Sequence, residues 1–224
     1  MKLKKIASLA LAGVMAVSML AGCNNDSNNN NNGSNGEVNV VPASAVLNII
    51  NSNQNVENDV QIKFTADSAL EKYAAIAVAD LGYQGTSAAN AKAVAEEIMR
   101  MSDTIDVAKP GADIASAALI DLGFLGNDYD KLKDGYESTL VYVQAISGKL
   151  TDEAAAYHAM TTLNVLLKNL VVSTPKNTPD KDYLEYTYTG NACIISAQDG
   201  NGAPVYYAVF QITQNAAKKT TASV

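Results

Sequence analysis

Apolar and polar positions along the chain fall into two periods. From Pro42 to about Val171 the spacing is mostly helical, and beyond Pro179 it becomes strand-like. Pro42–Gln54 predicts a first helix, with Pro42 suited to a first turn and Val46, Leu47, Ile49 and Ile50 as its apolar stripe. Val60–Phe64 alternates apolar and polar, as a short strand or extended connection does. A second helix, capped by Thr65 or Asp67, runs to about Leu81, with Leu70, Tyr73, Ala74, Ala77 and Val78 at spacings of three and four. Ser87–Met101 reads as a third helix, with Ala91, Val94, Ala95, Ile98 and Met99 inward, and Ala112–Leu122 as a fourth, closed by Gly123 and Gly126. Tyr129–Ile146 is mixed in character and is read as helix, because the run Thr139–Val143 lacks alternation. Thr151, with Asp152 and Glu153 behind it, signals the start of a helix running to Val171.

Tyr183–Thr189 and Ala192–Ala197 then read as strands, Asp199-Gly200-Asn201-Gly202 as a hairpin turn, and Val205–Thr213 as the returning strand. Residues 215–224 read as a frayed, flexible polar tail. The expectation is an α+β domain over 37–214, its N-terminal helices packed against one face of a C-terminal antiparallel sheet. Asp80-Leu81-Gly82-Tyr83-Gln84-Gly85 is echoed at Asp121-Leu122-Gly123-Phe124-Leu125-Gly126, and both copies are read as similar helix C-termini rather than as a repeat array.

The N-terminus follows a different pattern. Lys2, Lys4 and Lys5 precede an uncharged run, Ile6–Ala21, too short to span a bilayer, which needs about 20 residues. It ends in Leu20-Ala21-Gly22-Cys23. This closely resembles the lipobox of bacterial lipoprotein signal peptides. The resemblance implies a signal peptide over 1–22, cleavage after Gly22 and lipidation of the Cys23 thiol by diacylglycerol. It also implies an extracytoplasmic protein held at the bacterial cell membrane by its acyl anchor. Eight of the thirteen residues in Asn24–Gly36 are Asn and the rest are Asp, Ser and Gly, so residues 23–36 are expected to be a disordered tether.

Composition narrows the chemistry. The 224-residue chain carries a formal charge of −7, with 2 cysteines, 1 histidine and no tryptophan. Removing residues 1–22 takes three lysines and no acid, which moves the charge from −7 to −10. An acidic body lacks the basic face that nucleic acid requires, so no nucleic-acid partner is expected. With Cys23 lipidated, Cys193 has no disulfide partner. One histidine and two cysteines cannot build a zinc finger or a Cys-rich metal cluster. Asn127–Gly135 is acidic, but Leu132 occupies a position where an EF-hand needs oxygen, so no metal site is assigned. No phosphate-binding loop or nucleophile elbow is present, and no cofactor is expected. A hydrolase centred on Cys193, paired with His158, or on clustered acids is the alternative to a non-catalytic domain. No catalytic residue is assigned. Five of the eleven tyrosines lie in the C-terminal hairpin. Tyr186, Tyr188, Tyr206 and Tyr207 are the candidate ligand contacts for an unidentified extracellular or envelope ligand, since tyrosine offers broad amphipathic contact area.

Two regions resemble the CAP (SCP-like extracellular) superfamily. Ala45–Gln54 is similar to that family's opening helix, an apolar run ending in Asn-x-x-Arg, with Gln54 in the arginine's place. Asp67-Ser68-Ala69-Leu70 and an alanine-rich helix follow, as in the family. Gly190–Thr213 is similar to its closing strand pair. The family's two histidines and two acids have no counterpart here, so the resemblance implies a degenerate binding module and transfers no functional residue.

Overall fold

The computed structural model describes residues 38–56, 60–81, 87–102, 137–168, 170, 172–173 and 182–220. All of them lie in one compact unit, Asn35–Val224. The expected signal peptide, Cys23 and the expected tether lie outside the described residues. So do the helix expected at Ala112–Leu122, the Asn127–Gly135 segment and most of both repeat copies.

In chain order the elements are β1 (Asn39–Val40), α1 (Ala43–Ser52), β2 (Phe64–Thr65), α2 (Ser68–Leu81), α3 (Ala88–Met101), β3 (Glu137–Ser147), α4 (Asp152–Leu167), β4 (Asp182–Gln198) and β5 (Pro204–Thr220). The fold is α+β. The sheet runs β1-β4-β5-β3, with β2 also on β4. The β2–β4 pairing is parallel and the others are antiparallel.

The helix starts follow their polar caps. Asp67 Oδ1 accepts from the Leu70 amide at 2.8 Å, which makes Asp67 rather than Thr65 the cap of α2. The Ser87 and Thr151 hydroxyls accept from Asn90 and Ala154 in the same way. The hairpin turn is held by Asp199, whose carboxylate accepts from the Asn201 and Ala203 amides, each at 2.9 Å. Gly202 supplies the left-handed backbone there, with φ +76°.

Three expectations are corrected. Thr139–Val143 is not helical: it is the middle of β3, paired with Gln211, Thr213 and their neighbours in β5. Residues 215–220 are not a tail. They extend β5 opposite Asp182–Thr187, so the hairpin is one pair of 17-residue strands and Gly190 does not divide it. The helices also cover both faces of the sheet, not one.

Strand register shows how this works. Successive residues point to opposite faces, and directly paired residues share one. The first face carries Gln144, Tyr206, Ala208 and Phe210; the second carries Cys193, Ile195, Tyr207 and Val209. Gln144 Nε2 on the first face bonds His158 and Thr162 of α4, at 3.3 and 3.1 Å. Helix α1 lies beside α4, joined through Asn164 to Asn53 and Asn55. On the second face, Asn90 of α3 donates to the Tyr207 hydroxyl at 2.8 Å, and α2 packs beside α3. Ala192–Ile195 and Tyr207–Phe210 are accordingly buried without a break, as expected of strands covered on both sides. Phe64 joins this core edge-on to Phe210 at 5.5 Å, over the space that Gly190 leaves without a side chain.

Candidate functional site

The four candidate tyrosines do not form one surface. Tyr186, Tyr188 and Tyr206 point to the first face and Tyr207 to the second. Tyr207 is 0% exposed, a core residue under α3, and this rules it out as a surface contact. Burial holds its phenol above the usual range, at about 12, against a lowering by Asn90. Tyr186 is buried with Leu184 and Ala216. Tyr188, half-buried beside them, accepts from Gln214 Nε2 at 2.9 Å. Tyr206 donates to the Leu150 carbonyl at 2.8 Å, which ties β5 to the start of α4. Its phenol is raised by desolvation first and by Asp152 second. These rings are mainly packing and bracing groups.

The cysteine–histidine pair is excluded by the same register. Cys193 pairs with Val209 and Gln144 with Ala208, so the sheet stands between the Cys193 thiol and His158, the partner of Gln144. Cys193 is 3% exposed. Burial first, and then Glu71 and Asp67, push its thiol far up, away from the thiolate that nucleophilic attack needs. His158 is on the exposed side of α4. Glu71 is raised by its own partial burial and by Asp67. Among the described residues no group of three His, Cys, Asp or Glu could hold a metal, and no helix is long and apolar enough to cross a membrane.

The surface that hydropathy did not indicate is on the second face. Helices α2 and α3 pack on this face against β4 and β3. From Asn191 toward Tyr183 this face of the hairpin is partly open: Glu185, Thr187, Thr189, Ala217 and Lys219 are exposed, Tyr183, Asn191, Gln211, Thr213 and Asn215 are half-buried, and Thr139 beside Thr213 is buried. Side chains link across the strands. Thr65 donates to Asn191 Oδ1 at 2.9 Å, Asn191 donates to Gln211 Oε1 at 3.0 Å, and the Thr139 and Thr213 hydroxyls meet at 2.7 Å. Glu185 and Lys219 pair at 3.4 Å. The result is an array of hydroxyls and amides with the paired charges of Glu185 and Lys219 at one end. The sequence signal was present as alternate polar residues, Glu185, Thr187, Thr189 and Asn191. It was masked by the tyrosines alternating with them.

No protein-family model, curated protein or solved structure matches the chain.

Proposed function

We propose that the chain is a bacterial lipoprotein: an extracytoplasmic, membrane-anchored domain that binds an envelope or environmental ligand without catalysing a reaction. Leu20-Ala21-Gly22-Cys23 carries the anchoring half of this reading. The Asn-rich segment after Cys23 supports it as a tether. It leads to β1, whose strand lies on the edge of β4. The binding half is supported by the open polar face on β4 and β5. The separation of Cys193 from His158 argues against the hydrolase alternative. The likeness to the CAP superfamily makes this a degenerate module of that type. Gln54, in the place of the family's arginine, is bound to the backbone of Ile62 at 2.5 and 2.9 Å, a bracing role.

Metabolic labelling with palmitate tests the anchor. The full chain takes up label and fractionates with membranes, and Cys23→Ala loses the label and accumulates as precursor. Unchanged labelling of Cys23→Ala contradicts the reading. Turnover of peptides or glycosides by the purified chain, abolished by Cys193→Ser, would establish the hydrolase instead.

A further inference from the structure

We propose that the open half of the second sheet face binds a neutral, hydroxyl-rich polysaccharide laid flat across β4 and β5. The proposal rests on the reading of the chain as a binding module and names its site and ligand class.

The face is built for uncharged polar contact. Thr187 pairs with Asn215, Thr189 with Thr213 and Asn191 with Gln211. Two strands thus present six hydroxyl or amide side chains in two rows. Neighbours lie about 4.8 Å apart across the strands and about 6.8 Å apart along them. The cross-links Thr65–Asn191–Gln211 and Thr139–Thr213 hold part of the array in place before any ligand arrives. Thr187 and Thr189 are exposed, and each hydroxyl offers one donor and two acceptor positions. Tyr183, at the far end of the same face, adds a ring against which sugar C–H groups can stack.

Charge and hydropathy select among partners. A polyanion needs unpaired cations. Among the described residues of this face of the hairpin the basic side chain is Lys219, which is paired with Glu185, and the chain as a whole is acidic. A protein interface needs large apolar or arginine anchors. Among the described residues, the exposed large apolar side chains, Ile76, Tyr157, Val165 and Val172, belong to α2, α4 and the 172–173 segment and not to the sheet face. A neutral polyol carries no charge for the acidic body to repel, and its hydroxyls complement the array.

The test is affinity electrophoresis of the full chain in detergent through gels containing neutral polysaccharides (glucan, galactomannan or xylan) or a polyanion. At least one neutral polysaccharide is expected to retard the protein. Thr187→Val with Thr189→Val, which keeps β-branching and removes both hydroxyls, is expected to weaken retardation about fourfold or more, since each lost bond is worth about two- to tenfold. Thr187→Ser with Thr189→Ser keeps the hydroxyls and is expected to bind like the parent. An unchanged circular dichroism spectrum separates lost binding from lost folding. If the valine variant unfolds, Asn215→Glu provides the second test: a charge in the row is expected to abolish retardation. The proposal is overturned by retardation in the polyanion gel alone, by no retardation in any neutral gel, or by folded variants that bind like the parent. Palmitate labelling at Cys23 is read separately, so the glycan site can fail while the anchored-lipoprotein reading stands.

Discussion

Single residues were legible where chemistry is local and illegible where register decides. Asp67, Ser87 and Thr151 cap the helices they precede, and Asp199 with Gly202 makes the turn, because each acts on backbone within a few residues. Tyr206 and Tyr207 are neighbours of the same type. Yet one braces α4 and the other is sealed under α3, and only the pairing register separates them. Gly190 shows the same dependence. A Cβ there would lie 2.6 Å from Phe64 Cε1 and 2.9 Å from Ile62 Cγ2, so the core has closed over its missing side chain. Gly190→Ala is expected to destabilise the protein by about 1–3 kcal/mol, read as a lowered denaturant midpoint. Burial holds the Tyr142 and Tyr207 phenols at about 12. In the unfolded chain they ionise near their ordinary value of about 10. Their contribution to stability is therefore complete below about pH 10 and is lost as pH rises from there to about 12. Alkaline titration followed by tyrosinate absorbance is expected to show a late step that coincides with loss of circular dichroism. Ionisation of all the tyrosines near pH 10 in a still-folded protein would contradict this.

At the scale of elements, α1, α2, α3 and most of α4 were readable from periodicity. Their apolar stripes face one way, and each start carries a polar cap or, for α1, a proline. The misreading of β3 has a physical cause. Thr139–Val143 is buried on both faces between helices, so the alternation that marks a half-exposed strand is missing. The end of β5 was hidden for the opposite reason. Asn215–Lys219 is polar or small and gains its order from pairing with Asp182–Thr187, which no local pattern reveals. Of these residues only Ala216 is buried, against Leu184 and Tyr186. Truncation after Gln214 is therefore expected to lower Tm, since it strips that cluster and the cross-strand partners of Tyr183–Thr187. A truncated chain with unchanged Tm would make 215–220 a tail after all.

At the scale of the whole molecule, a β-sheet carries helices on both faces. The α+β class could be read from the sequence, whereas the second layer of helices could not, since it follows from which residues of β4 and β5 point each way. The candidate surface is accordingly formed by hydroxyl and amide side chains on the face opposite Tyr186, Tyr188 and Tyr206. The proposed role rests most on Leu20-Ala21-Gly22-Cys23, the expected anchor of a domain with a polar sheet face. Mass spectrometry of the N-terminal peptide, from the full-length protein expressed in a bacterium and extracted from membranes with detergent, tests this most directly. The proposed anchoring predicts a peptide that begins at Cys23 and carries the added mass of a diacylglyceryl group. A peptide that retains Met1, or one that begins at another residue with Cys23 unmodified, would contradict it.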